Sequence, residues 1–281
     1  MGAMAEVLVA DRSERGKLRF TGEQRLWFCD QVLTQRFADM LPGEARVATM
    51  ITVHGRTTAL MEFVATDDAL LCHFEPELSA ELPGALERYV FATRVEIEDV
   101  SERYGLVLLA GDGWEELAGA VAAIVQPSPL VGVSAGYLWV ERDDTERVVK
   151  ELEVKGARSA GEDELEALRI AAGLPRWGYE LSPKTLPQET GIDAFAVHYD
   201  KGCYLGQEAM AKIHFRGKVN RRLARLRASG PLGRGADVLL DGERVGVVTS
   251  AAGELGLALL RHTVQPGAHV EAGGVPAEVV A

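Results

Sequence analysis

Apolar positions recur along this chain with two periods, near 3.6 and near 2, and the changes between them mark the elements. Leu26, Cys29 and Leu33, flanked by Phe28 and Val32, make a helical stripe after Thr21-Gly22-Glu23-Gln24, which has the spacing of a capping box. A helix is predicted over about 22–37. Pro42-Gly43 breaks the chain, and residues 45–53 and 57–65 then read as strands joined through His54-Gly55-Arg56, with a third short strand at 70–74. A helical stretch at 77–91 is interrupted at Pro83-Gly84, strand character returns at 93–98 and 106–110, and an apolar helix is predicted over 114–125. A strand at 137–141, a helix at 145–152 and a helix at 162–172, closed by Gly173 with Pro175 beyond it, follow in order.

Residues 175–199 carry prolines and the aromatics Trp177 and Tyr179 without a clear period, and read as a long functional loop. A helix is predicted to begin near 204–207. From about 218 the texture changes to short strands (219–227, 237–240, 244–250, 255–260, 270 and 275–280) separated by glycines, with Asp241-Gly242 as a hairpin turn. The expected fold is α+β: two ferredoxin-like α+β subdomains over residues 5–217 and a small antiparallel β-barrel over 218–281.

Composition adds limits. The 281 residues are 47% hydrophobic, enough for more than one core. With 30 basic and 42 acidic residues the net charge is −12, which argues for a soluble protein and against a general nucleic-acid binder. Seven basic residues do cluster between Lys212 and Arg227 with no acid among them, a local strip suited to an anionic ligand tail or RNA, or to a solvated face; no interleaved aromatics mark a stacking platform for RNA. Cys29, Cys72 and Cys203 are widely spaced and form no C-x-x-C pair, so no disulfide framework or local metal site is expected, and a reducing, cytoplasmic compartment fits. No apolar run has the length of a membrane span, and no signal pattern opens the chain. Met1-Gly2-Ala3, ahead of Met4, reads as a cloning remnant.

The densest chemistry lies in Lys201-Gly202-Cys203-Tyr204-Leu205-Gly206-Gln207-Glu208. A thiol just ahead of a helix start, two residues from a lysine, sits where the helix dipole and an ammonium favour the thiolate, while Glu208 opposes it. A buried cysteine acting as a small hydrophobe is the alternative. A protease-type pairing of Cys203 with His198 or His214 is disfavoured by the short separations, and the other histidines lack metal-ligand spacing. Trp177 beside Arg176 suits a stacked heterocycle, or an aromatic anchor under the loop.

The same octapeptide, followed by His214-Phe215-Arg216-Gly217 and Arg221-Arg222-Leu223, closely resembles the signature of the YgfZ family of folate-binding proteins, relatives of the T-protein (aminomethyltransferase) of the glycine cleavage system. Gly22 to Thr34, His54-Gly55-Arg56, Arg169 to Gly178 and Gly246 to Ser250 extend the resemblance over most of the chain. It implies a ring of three parts around a channel that takes tetrahydrofolate, and a role in assembly or repair of iron–sulfur enzymes, with such proteins or their assembly machinery as partners and no nucleic acid or membrane. Carried over by position, it implies Cys203, Lys201 and Glu208 as the reactive group, with the Cys203 thiolate near the bound folate and Lys201 as its electrostatic partner, and Tyr204, Gln207, Trp177, Arg216 and Arg56 as folate contacts. Two T-protein acids have no counterpart: Thr57-Thr58-Ala59 and Ile170-Ala171-Ala172 stand in their segments. Glycine-cleavage aminomethyl transfer is therefore not expected. The alternative is a folate-dependent one-carbon transferase or demethylase acting on a small molecule.

Overall fold

The structure is a computed structural model that describes residues 6–280; Met1-Gly2-Ala3 and the Arg216 side chain lie outside the described part. The order of elements is β1 (Leu8–Asp11), β2 (Gly16–Thr21), α1 (Arg25–Val32), β3 (Ala45–Ile51), β4 (Thr57–Ala65), β5 (Leu70–Phe74), α2 (Leu82–Glu87), β6 (Glu96–Asp99) and β7 (Tyr104–Ala110). Next come α3 (Trp114–Ala118), β8 (Ile124–Pro127), β9 (Ala135–Glu141), α4 (Thr145–Val154), β10 (Arg158–Ser159), α5 (Glu162–Ala172), α6 (Pro187–Thr190), α7 (Asp193–Ala196) and α8 (Gln207–Arg216). Six strands close the chain: β11 (Arg221–Ala228), β12 (Asp237–Leu240), β13 (Glu243–Ala252), β14 (Leu255–Arg261), β15 (His269–Ala272) and β16 (Val275–Val280).

The strands form two five-stranded sheets, ordered β3-β4-β5-β2-β6 and β10-β1-β7-β9-β8, and a closed barrel, β11-β14-β13-β12-β15-β16. This is the α+β architecture with a C-terminal barrel that the pattern predicts. Alternation along the strands explains the layering. On the first sheet Met61, Phe63, Leu70 and Cys72 pack with Phe28, Leu33 and Leu86 beneath α1 and α2. Their neighbours Val64 and Leu71 face the other way, against Leu106, Leu108 and Tyr137 of the second sheet. That sheet's far side, with Val107, Leu109 and Leu138, is covered by α3 and α4 through Trp114, Val148 and Leu152. The barrel encloses its own core around Leu226, Val238, Leu260 and Val279.

Several boundaries differ from expectation. Thr21 does not cap a helix: it is the last residue of β2, paired with Glu96 of β6, and α1 begins only at Arg25 without a side-chain cap. The ladder bond fixes Thr21 as extended backbone, which removes it from the helix start. At its other end α1 stops at Val32, because Leu33 is extended. The helix expected over 114–125 divides into the short α3 and strand β8. The stretch over 77–91 reduces to a 3-10 turn and the six residues of α2. The long loop contains α6 and α7. In the barrel, Asp241 and Gly242 adopt φ of 51° and 82°, the left-handed pair that a two-residue hairpin needs.

Candidate ligand cavity and motif cysteine

A cavity of about 630 Å³, its open mouth included, lies where the two sheets, α5 and the following loop meet. Leu60 and Glu62 enter it from β4, Leu108 from β7, Tyr137 from β9 and Leu165 from α5, with Trp177 from the loop. Four arginines (Arg12, Arg15, Arg169, Arg176) and four glutamates (Glu62, Glu75, Glu162, Glu166) line the same space, so formal charge balances. Most are joined in a ladder. Arg15 bonds Glu75, Glu75 accepts from Arg176 Nε at 3.1 Å, and Glu162 accepts from Arg176 at 2.8 Å and from Arg12 at 2.5 Å. Arg169 bonds Glu166 and donates to Glu180 at 3.0 Å.

The buried end of the ladder is polar as well. Period-2 geometry puts Glu62 of β4 directly opposite His73 of β5, both facing the second sheet. Arg15 Nε donates to His73 Nδ1 at 2.9 Å, and Trp139 Nε1 donates to Gln126 Oε1 at 2.7 Å beside the ring. Burial, reinforced by Arg15, Lys17 and Arg12, holds the His73 imidazole neutral, well below its ordinary pKa. Burial would raise the Glu75 carboxyl, but Arg15 and Arg176 outweigh it and hold it below the usual range. At Glu62 burial wins over Arg15 and the Ser128 hydrogen bond, and the carboxyl is raised. The Tyr137 phenol is pushed up to about 12, chiefly by burial.

The barrel is tied to this site. Ser250 Oγ donates to Glu180 at 2.6 Å and accepts from Arg169 at 2.7 Å, so two segments of the family resemblance, 169–178 and 246–250, converge on one buried cluster.

The cysteine motif lies elsewhere. Gly206, with φ of 80°, precedes α8, and a Cβ there would stand 2.4 Å from the Thr52 carbonyl oxygen, so only glycine fits. Lys201 is buried at its side chain, 1% exposed, and Nζ donates to the carbonyls of Asp30 at 2.5 Å, Leu33 at 2.9 Å and Gln35 at 2.7 Å. Those are all the donors an ammonium has, so none is left for the Cys203 sulfur. Burial lowers the Lys201 pKa to about 8, against the pull of Asp30. Lys201 therefore pins the end of α1. Tyr204 is buried against Ile51, Val197 and Met210, with Lys201 Nζ 5.0 Å from its ring centre. Gln207 Nε2 donates to the Lys201 carbonyl at 3.4 Å, and Glu208 is exposed.

Cys203 is exposed, in a shallow groove with Trp27, Tyr89 and Phe91, the last 92% exposed. This groove shares no lining residue with the cavity. Arg56 donates to the Lys184 carbonyl at 3.0 Å. Of the residues singled out in the sequence, Trp177 and its neighbour Arg176 line the cavity, and the Trp177 ring also belongs to the first core. Arg15, Glu62, Tyr137 and Glu166 were not foreseen. A signal existed for Glu62: it is the one charged residue in the apolar strand Thr57–Ala65.

Residues 220–281 match the family model described as the C-terminal beta-barrel domain of CAF17. An Arabidopsis thaliana chloroplast protein, classed by name among transferases, is 28% identical over 269 residues, 88% of this chain; the chain spans only 62% of that protein. An aminomethyltransferase from one strain of Thermus thermophilus is 34% identical over 266 residues, 86% of this chain and 74% of that enzyme. Among solved structures, glycine cleavage system aminomethyltransferase T from Bartonella henselae superposes with a TM-score of 0.87 at 17% identity, covering 99% of this chain and 85% of that one, a likeness of fold.

Proposed function

This chain belongs to the aminomethyltransferase family, and from that membership we propose that it binds a tetrahydrofolate and serves the assembly or repair of iron–sulfur enzymes, in the manner of the YgfZ branch. The observation that carries the folate reading is the cavity itself. Trp177 and Tyr137 supply aromatic walls, and the carboxylates and arginines, paired with one another in this structure, are the kinds of group that an amino-pyrimidinone ring and an anionic tail would bond. When bound, tetrahydrofolate supplies a carrier for a one-carbon unit. The protein's residues would hold the ring against Trp177, present carboxyl groups to its N–H donors and exclude water between the two sheets.

The iron–sulfur reading rests on the octapeptide that carries Cys203. An exposed thiol among Trp27, Tyr89 and Phe91 is open to a protein client. In this reading folate and client occupy different faces, and Lys201 acts on the thiol only by fixing the backbone. A folate-dependent transferase acting on a small molecule is the second reading, favoured by the raised carboxyl of Glu62 in the cavity wall.

Calorimetric titration with tetrahydrofolate tests the first reading: micromolar binding is expected for the wild type, weakened about tenfold or more in Trp177→Leu, a loss on the order of 1.4 kcal/mol. Cys203→Ala should bind folate as the wild type does, yet fail to support a [4Fe-4S] enzyme in cells. No heat with any folate, or full support by Cys203→Ala, would contradict the respective part.

A further inference from the structure

Glu62 stands apart from the other acids of the cavity. Glu75, Glu162 and Glu166 are each bonded to arginine. Glu62 accepts one hydrogen bond, from Ser128 Oγ to Oε2 at 2.5 Å. Among the described residues its Oε1 has only distant charged neighbours, Arg15 Nη2 at 3.9 Å and His73 Nε2 at 4.0 Å. Arg15 is already committed to Glu75 and to His73 Nδ1, and His73 is held neutral. Glu62 is 3% exposed, yet it lines two spaces: the cavity described above, and a second depression of about 860 Å³ on the other side, with Arg46, Pro127 and His198. Arg46 there is held by Asp39 at 2.8 Å and Glu44 at 3.2 Å, so its charge is also committed. A buried carboxyl with one free oxygen thus separates a ligand space from a second opening.

We propose that Glu62 is the proton donor of this cavity, taking a proton from hydronium at the second opening and delivering it to an amine nitrogen of the ligand held beside Trp177. The inference rests on the cavity reading above in expecting an amine-bearing ligand such as a reduced folate. In the step the carboxyl O–H bond breaks, its electron pair stays on Oε1, and the nitrogen lone pair takes the proton to give an ammonium beside a carboxylate. Glu62 gains its own proton beforehand from a hydronium ion in the second opening, whose O–H bond breaks to leave water, and no other bond changes. Burial, with Glu75 adding to it, raises the Glu62 carboxyl against Arg15 and Ser128, which keeps the protonated form populated above the ordinary carboxylate range. Tyr137, the other titratable group facing it from the second sheet, stays neutral up to about 12.

Two measurements test this, the first of them independent of folate binding. In the unliganded protein, the infrared carboxyl band lost in Glu62→Gln should titrate above the ordinary glutamate range; a band titrating within that range overturns the proposal whether or not folate binds. With tetrahydrofolate, calorimetry in buffers of different ionisation enthalpy should show proton uptake approaching one per site and affinity falling up to tenfold per pH unit above the carboxyl's titration. Glu62→Gln, which has no proton to give and cannot form the ammonium–carboxylate pair, should bind about tenfold or more below the wild-type low-pH affinity, with no uptake and a flat pH profile. Equal uptake and slope in Glu62→Gln would overturn the assignment. Absence of folate heat in both proteins would defeat the folate reading, leaving the infrared titration to decide Glu62.

Discussion

Glu62 shows how one position can oppose stability to chemistry. It occupies a strand that is buried along most of its length, between two sheets, where a charged carboxylate is poorly solvated. The sign follows from its raised pKa. The folded chain keeps the Glu62 proton to higher pH than the unfolded chain, so this position costs nothing below the ordinary glutamate range and destabilises the fold as pH rises from there through the folded value. Glu62→Gln keeps the Ser128 hydrogen bond and removes the charge. The variant should match the wild type near pH 4 and be more stable near pH 8 by denaturant unfolding; an effect on the order of 1 kcal/mol corresponds to about 2–4 °C in a chain of this size. A destabilised Glu62→Gln at pH 8 would mean that the Arg15 interaction outweighs burial. Lys201 was legible as a notable cation, but its three carbonyl partners come from the last turn of α1 and the residues just after it, about 170 positions away in sequence, and nothing local predicts them.

At the scale of elements, local pattern decided what could be read. Strands β4, β5 and β12 and helix α5 were legible to the residue, because their periods are clean and turn residues bound them. Strands β1 and β2 were missed: Asp11, Arg12, Glu14, Arg15 and Lys17 make their neighbourhood look like a solvated loop, whereas Arg12, Arg15 and Lys17 are buried. Lys17 Nζ is satisfied by the carbonyls of Ser13 and Arg15. The α1 start failed because tertiary strand pairing overrode a local capping pattern. Helix α8 illustrates the opposite case, a boundary set by one residue. Gly206→Ala places a Cβ against the Thr52 carbonyl at a left-handed φ, so a loss of roughly 1–3 kcal/mol is expected from the strain alone, measured by denaturant unfolding. Wild-type stability in that variant would show that the turn between β3 and β4 gives way freely.

For the molecule as a whole, the α+β layers and the barrel were legible, but the cavity was not. Its walls come from residue 12 to residue 177, brought together by sheet packing, and such a site has no contiguous signature. The barrel joins it through Ser250, whose hydroxyl bridges Glu180 and Arg169 in a buried cluster. Ser250→Ala leaves the 0% exposed Glu180 one bond short, and should lower stability by about 1–3 kcal/mol and loosen α5 beside the cavity, read by hydrogen exchange in α5. Unchanged exchange there would argue that the barrel is only a neighbour. No helix among the described residues is long and apolar enough to cross a membrane. Whether this cavity holds a folate is decided by a crystal structure of the protein soaked with tetrahydrofolate. Density for the pterin ring against Trp177, within hydrogen-bond reach of Glu62, is the result expected. A ring bound elsewhere, such as in the Cys203 groove, with the cavity filled by water, would contradict it.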